Sequence, residues 1–297
     1  TSASDAAMTR QQIFLALLPP LFFGTGFTIA KPAVAHFPPL FMMLMVYVGI
    51  AVVMALTHRE KLKTPWPSVI VISAFAVTIQ GALLFWGLNG MPATSANLIL
   101  QTQVPFAVLL GWLIAGDSLD VRKIIGTAIA IAGVAIVIGL PEHPPPFWPT
   151  VAVIAGAFTW ALGQAFAQRL GRDSGIGILK ANAYGSVPQL AIATLLIEQG
   201  QWQSLQTATP LQWSMLLFVG IVGFYFAYLC WFTLLRQCRM DEIAPFILLM
   251  PVVGIITAFV LLGETVSPAQ VIGGGVILLG LAVVSGLLDR QRQTGRA

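Results

Sequence analysis

The chain has 297 residues, of which 57% are hydrophobic and only 9% are charged. Soluble domains carry about 25% charged residues, so this composition excludes an ordinary soluble protein and predicts a chain embedded in membrane lipid. The net charge of +4 does not indicate nucleic acid as a partner, because the basic residues are scattered between long apolar runs and form no basic stripe.

Ten apolar runs follow one another along the chain. A helix needs about 20 mostly apolar residues to cross the hydrocarbon core of a bilayer, so these runs predict ten membrane-spanning helices. In chain order the predicted spans are 13–30, 37–57, 67–88, 93–115, 122–140, 148–168, 176–197, 211–235, 243–262 and 268–288. The alternation typical of transmembrane barrel strands is absent, so the predicted fold class is an all-α integral membrane protein.

The basic residues predict the orientation of these spans. If the N-terminus is cytoplasmic, every one of the 15 Lys and Arg residues except Lys31 falls on the cytoplasmic side. Cytoplasmic loops carry such an excess of positive charge. Dropping or adding one span would destroy the bias, so the count of ten and the placement of both termini in the cytoplasm support each other.

The second half of the sequence repeats features of the first half. Trp86 recurs as Trp231, 145 residues later, and Pro105 recurs as Pro251 at an offset of 146. Further features recur at an offset of 147: Gly116-Asp117 as Gly263-Glu264, Gly126 as Gly273 and Gly133 as Gly280. A duplicated unit of five helices explains this pattern. Because five is odd, the second copy must cross the membrane in the opposite direction.

This duplication divides the chain into five parts. We expect an N-terminal cytoplasmic segment at 1–12, a first repeat at 13–141, a periplasmic linker at 142–147, a second repeat at 148–288 and a cytoplasmic tail at 289–297. Inverted repeats are a common plan of secondary transporters, which bind substrate near the membrane midplane at the repeat interface.

The polar residues deep in the predicted spans are neutral. No Asp, Glu, Lys or Arg lies near the middle of any predicted span, which argues against a buried proton relay. Neutral amides can hold the ammonium and carboxylate groups of an amino acid, or they can simply join helices. The candidate substrate-binding amides are Gln80, Asn97, Gln101, Gln103 and Gln164.

Aromatic residues and prolines supply the other candidates. Trp160, Tyr225 and Tyr228 are predicted deep enough to line a cavity for flat side chains, whereas other tryptophans near span ends are typical of the membrane interface. Pro105 and Pro251 interrupt the backbone hydrogen bonding of their helices and, with Gly254, are candidate gate hinges; static kinks are the alternative.

The order of these motifs, doubled at one offset, resembles the EamA family of the drug/metabolite transporter superfamily. The resemblance rests on Met91–Asn97, Pro105 and Gly116–Leu119 in the first half, and on Met240–Ala244, Pro251 and Gly263–Val266 in the second. The chain is most similar to the YddG-type branch of aromatic amino acid exporters. One departure is Asp117, where such proteins usually carry Glu.

The resemblance implies a ten-helix basket with a central cavity lined by helices 1, 3, 4, 6, 8 and 9, and it favours Gln80, Gln101 and Gln164 as lining residues. The implied function is export of small organic solutes across a bacterial inner membrane by alternating access, with amino acids, aromatic or other neutral ones, as substrates. The alternatives are a broad drug or metabolite exporter and a nucleotide-sugar-type antiporter. The latter needs cationic groups for phosphate, and none is predicted at midplane.

Other classes of protein lack support in the sequence. Motifs of intramembrane enzymes or ATPases such as HExxH, GxSxG or Walker A are missing, so we expect neither an enzyme nor a cofactor. A channel needs a constriction built from rings of charged side chains or carbonyl groups, and the residue pattern of the predicted spans does not indicate one. The expected partners are a small-molecule substrate and membrane lipid, and a monomer is compatible with the sequence.

Overall fold

The computed structural model of the chain describes residues 9–140, 144–173, 175–238, 243 and 246–285, and every regular element in these ranges is helical. The long helices are α1 Arg10–Val34, α2 Pro39–Thr57, α3 Trp66–Asn89, α4 Ala93–Ala115, α5 Val121–Gly139, α6 Phe147–Leu170, α7 Ile176–Ile197, α8 Pro210–Leu234, α9 Leu249–Leu262 and α10 Pro268–Val284. A short helix, Gln201–Thr207, connects α7 to α8.

Seven of these helices, α1 to α6 and α8, are long and apolar enough to cross a membrane. Helix α7 has 22 residues, and the described parts of α9 and α10 have 14 and 17. The prediction of a helical membrane protein is confirmed, whereas the count of ten crossings stays a prediction. Residues 1–8 of the predicted N-terminal segment, residues 142–143 of the linker and the whole of the tail at 289–297 lie outside the described residues.

Several helices begin at residues whose side chains satisfy the first backbone N–H groups. Thr9, Thr209 and Ser267 each form a capping box with the glutamine three residues later. Such a cap is worth about 1 kcal/mol to a helix. Proline occupies the first position of α2, α8 and α10, where its missing N–H costs nothing.

The internal repeat of the sequence is also a repeat of conformation. Segments of π-helix begin at Ala74 in α3 and at Val219 in α8, which are 145 residues apart. Gly116 and Gly263 end α4 and α9 with φ of 82° and 67°, in the left-handed region that favours glycine. The two copies therefore share backbone irregularities that side-chain patterns alone do not reveal.

Helices α5 and α10 pack closely and run antiparallel. A Cβ on Gly126 would lie 2.7 Å from Gly280 O, and a Cβ on Gly133 would lie 2.8 Å from Gly273 O. Gly126, near the start of α5, thus faces Gly280 near the end of α10, and Gly133 faces Gly273. Because α5 and α10 are the equivalent helices of the two repeats, their antiparallel pairing is what an inverted duplication requires.

Helix α4 separates the two equivalent acidic loops. The Glu264 carboxylate contacts the first two residues of α4, whereas Asp117 lies two residues after its last residue, Ala115. A helix of 23 residues is about 34 Å long, so the loops lie at opposite ends of the bundle. We call the end that holds Glu264 and Lys31 the outer end, and the end that holds Asp117 and Lys180 the inner end, after the predicted orientation.

The crossing of α1 and α8 depends on two glycines. A Cβ on Gly26 would lie 2.5 Å from the Cα of Gly223, so even alanine must force these helices apart. We expect Gly26→Ala to lower the free energy of unfolding by about 1–3 kcal/mol. Gly49→Ala is the matched control, because nothing lies within 4 Å of its added Cβ. Thermal unfolding in detergent measures both, and equal stability of the two variants would contradict the close crossing.

Candidate functional site

An aromatic cluster joins α1, α2, α6 and α8 inside the bundle. Tyr228 on α8 contacts Phe23 on α1 with ring centroids 5.0 Å apart and stacks on Phe232 at 5.9 Å. Phe224, one turn earlier on α8, contacts the buried Tyr47 of α2 edge-on at 6.0 Å. Trp160 on α6 completes the cluster. We use the name aromatic cluster for Phe23, Tyr47, Trp160, Phe224, Tyr228 and Phe232.

Polar groups of the cluster lie among these rings. The indole of Trp160 and the hydroxyl of Tyr47 both lie near enough to the hydroxyl of Tyr228 for electrostatic interaction. Tyr228 and Trp160 are half-buried although both lie among helices. Flat apolar walls with polar tips suit a ligand that carries both an aromatic ring and hydrogen-bonding groups.

A cavity of about 460 Å³ opens at the inner end of the bundle. Its walls come from residues 57–63 between α2 and α3, from the start of α7 and from the inner part of α8. Phe232 belongs both to this cavity and to the aromatic cluster. The cavity therefore reaches one ring of the aromatic cluster, that of Phe232.

Hydrogen bonds join several elements at the outer end. Lys31 Nζ donates to the carbonyl oxygens of Leu88, Asn89 and Met91 at 2.9, 3.0 and 2.7 Å. The Glu264 carboxylate accepts from Ala93 N at 2.6 Å and from both N and Oγ1 of Thr94 at 2.8 and 2.7 Å. A lysine thus holds the end of α3 and a glutamate from the other repeat holds the start of α4.

Asn97 and Gly254, both singled out in the sequence, meet at a junction of α1, α4 and α9. Thr28 Oγ1 donates to Gly254 O at 3.0 Å, and Asn97 Nδ2 contacts Thr28 Oγ1 at 3.3 Å. Asn97 Oδ1 lies 2.5 Å from the position of a Cβ on Gly254 and has no hydrogen-bond partner among the described residues. Gln101 Nε2 donates to Asn97 O. Asn97 therefore joins α4 to α1, whereas the hydrogen bond of Gln101 lies within α4.

The other candidate amides are differently placed. Gln80 on α3, Gln103 on α4 and Gln164 on α6 are half-buried, and their side chains make no hydrogen bond to another described residue. Amides that lie within a helical bundle without partners remain available to a ligand. No hydrogen bond among the described residues joins these three side chains to the aromatic cluster. Tyr225 packs at the edge of the main core beside Phe226.

Both candidate hinge prolines lie at irregular backbone. A 3₁₀ turn, Leu100–Thr102, comes just before Pro105 in α4. Pro251 is the third residue of α9 as described, and a turn at Leu248 precedes it. Pro251 is therefore closer to the start of the regular helix than the predicted span 243–262 implies. The missing N–H of proline is the physical cause common to both breaks.

The inner end holds a second set of cross-links between the repeats. Asp173 accepts from Lys63 N at 3.0 Å and from Thr64 N at 2.9 Å. Burial alone would raise the pKa of Asp173, but these hydrogen bonds and the nearby Lys63 charge together lower its pKa below the ordinary value. Asp173 is thus held as a carboxylate and fastens the α2–α3 connection to the second repeat.

Four members of the aromatic cluster were not predicted from sequence. Phe23, Tyr47, Phe224 and Phe232 lie in spans that are apolar on all sides, so their positions do not show which face is interior. Phe224 and Phe232 are each one turn from Tyr228 in sequence, and that spacing is the signal that could have found them.

The chain matches known proteins along almost its whole length. The model of the EamA-like transporter family matches residues 10–139 and 147–286. A probable amino-acid metabolite efflux pump of Salmonella typhimurium is 31% identical over 97% of this chain and 99% of that protein. A protein of the same description from Escherichia coli is 29% identical over 93% and 95%.

Two more distant matches add to these. A probable terminal-alkyne amino-acid exporter of Streptantibioticus cattleyicolor is 23% identical over 76% of both chains. A solved crystal structure matches with a TM-score of 0.68 over 93% of this chain and 99% of that chain, at 18% identity. At that identity the structural match supports the fold alone.

Proposed function

Because the chain belongs to the EamA-like transporter family, we propose that it exports amino acids with aromatic or other neutral side chains from a bacterial cytoplasm. The chain is a membrane-embedded, multi-pass exporter of small solutes, and its family is one of transporters rather than enzymes. Three relatives described as amino-acid efflux pumps or exporters support amino acids as the substrate class.

The observation that carries the choice of substrate is the aromatic cluster at the end of the inner cavity. A cavity of about 460 Å³ suits a single amino acid, and it is lined by Phe232, whose ring stacks on that of Tyr228. Aromatic walls favour an aromatic ring, and the amides Gln80, Gln103 and Gln164, which hydrogen-bond no other described side chain, would bind the polar groups of the solute. Asn97, Gln101, Trp160 and Tyr225 remain part of the proposed site.

We further propose ten crossings in two inverted repeats, with both termini in the cytoplasm of a bacterial inner membrane. The antiparallel pairing of α5 and α10 supports the inversion. On this arrangement the described conformation is open at the inner end and closed at the outer end by Lys31 and Glu264. Alternating access then requires release of the outer contacts and closure of the inner cavity, with Pro105, Pro251 and Gly254 as hinges.

A panel of radiolabelled solutes taken up into proteoliposomes tests the proposed function. We expect saturable uptake of phenylalanine and tryptophan, with counterflow, which a channel does not give. A large organic cation without a carboxylate serves as the comparison solute. Uptake of that cation but of no amino acid would replace amino acid export by the broader drug or metabolite export.

A further inference from the structure

Lys180 is a buried lysine at the inner cavity whose charge has no carboxylate partner in the part of the chain that the structure describes. Its side chain lies in the first turns of α7 and is only 7% exposed. Nζ donates to His58 O and Glu60 O, both at 2.6 Å. The ring of Tyr184 lies 5.4 Å from Nζ and adds a cation–π contact.

These contacts leave the ammonium incompletely satisfied. A lysine ammonium has three N–H donors, and two of them are used by carbonyl oxygens. Lys31 at the outer end provides the contrast, because its ammonium donates to three carbonyl oxygens. Burying a charge is costly unless an opposite charge accompanies it. Since Lys180 also lines the cavity, an anion in the cavity could supply that charge and accept from the third donor.

The surroundings of Lys180 favour an anion over a cation. Arg59, Lys61 and Lys63 line the same cavity, against the acidic residues Glu60 and Asp173. Both oxygens of Asp173 already accept backbone hydrogen bonds. The positive-inside bias explains the exposed loop residues, but it does not explain a lysine that is buried in a helix.

We propose that Lys180 binds the carboxylate of the exported amino acid at the inner end of the path, with the side chain of the solute directed toward Phe232. This inference rests on the proposed export of amino acids and adds the carboxylate as the group that selects the solute. The sequence alone does not indicate this role, because in the sequence Lys180 is only one of the basic residues that predict the orientation. The neutral amides deeper in the bundle then receive a solute that has already been selected for its carboxylate.

A comparison of phenylalanine with phenylalaninamide at about pH 6, where the amino groups of both compounds are protonated, tests this role, because the amide then keeps the ring and the ammonium and loses only the carboxylate. We expect the wild-type protein, in phosphatidylcholine vesicles, to bind and transport phenylalanine at least about tenfold better than the amide, as expected for a charged hydrogen bond. Lys180→Gln should remove this preference and Lys180→Arg should keep most of it. Lys123→Gln should keep it fully, because Lys123 lies at the inner end but does not line the cavity.

The possible failures are distinguishable. Equal handling of acid and amide by the wild-type protein would overturn the role of Lys180 without depending on the folding of any variant. An intact preference in Lys180→Gln would overturn it as well, while amino acid export stands. Loss of the preference on adding phosphatidylglycerol would mean that a lipid headgroup occupies Lys180, which also contradicts the proposal. If the wild-type protein transports neither compound nor any other amino acid, export itself is wrong.

Discussion

Trp160→Ala is expected to reduce transport of phenylalanine and tryptophan by at least about tenfold. The indole of Trp160 lies beside the Tyr228 hydroxyl in the aromatic cluster. Its removal takes away an apolar surface worth about 1.5–3 kcal/mol to a bound ring. Initial rates of uptake into proteoliposomes at several concentrations measure the effect as a fall in transport efficiency.

Trp202→Ala is the matched control for this substitution. Trp202 lies on the short connecting helix and is 71% exposed, so its loss should change the uptake rate by less than about twofold. Tyr228→Phe removes only a hydroxyl, and we expect an intermediate loss of about two- to tenfold. Normal phenylalanine uptake by a folded Trp160→Ala variant would show that substrate does not pass the aromatic cluster.

Glu264→Ala is expected to destabilise the protein by about 2 kcal/mol or more. Its carboxylate accepts three hydrogen bonds at the start of α4, and removal leaves two backbone N–H groups of that helix without this partner. The same substitution also loosens the outer closure, because Glu264 joins the second repeat to the first. Thermal unfolding of the purified protein in detergent measures the loss of stability.

Asp117→Ala supplies the comparison, since Asp117 is the equivalent residue in the first repeat. Its carboxylate accepts one hydrogen bond, from Gln168 Nε2 at 2.9 Å, so its removal should cost less than removal of Glu264. The difference between the two variants reflects the asymmetry in hydrogen bonding between these two equivalent carboxylates. A larger effect of Asp117→Ala would contradict that asymmetry.

The helical organisation was largely predictable from the sequence. The predicted fourth span coincides with α4, Ala93–Ala115, because Pro92 before it and Gly116 after it are strong boundary signals. The offset between the repeats was also visible in the sequence, because prolines and glycines of the two halves match at positions around which other residues differ. The π-helical segments of α3 and α8 were not predicted, since they are displacements of backbone hydrogen bonds that no residue pattern marks.

The site was less predictable than the fold. Trp160 and Tyr228 were both expected deep in the bundle, but their contact depends on how α6 and α8 are rotated, which all-apolar helices leave undefined. Tyr47 was not predicted as a site residue, because the family resemblance implies no cavity-lining residues on the second helix. Asn97 was predicted as a candidate, but the sequence does not decide its role. A buried amide is equally consistent with a contact between helices and with a substrate-binding group.

Labelling of single cysteines from the two sides of the membrane tests the inverted duplication most directly. The native Cys230 and Cys238 are first replaced by serine, and one cysteine is then introduced at Ser118 beside Asp117 or at Thr265 beside Glu264. In intact cells, an impermeant thiol reagent should label Thr265→Cys and spare Ser118→Cys until the membrane is broken. Labelling of both positions from the same side would contradict the inverted arrangement and the central path that depends on it.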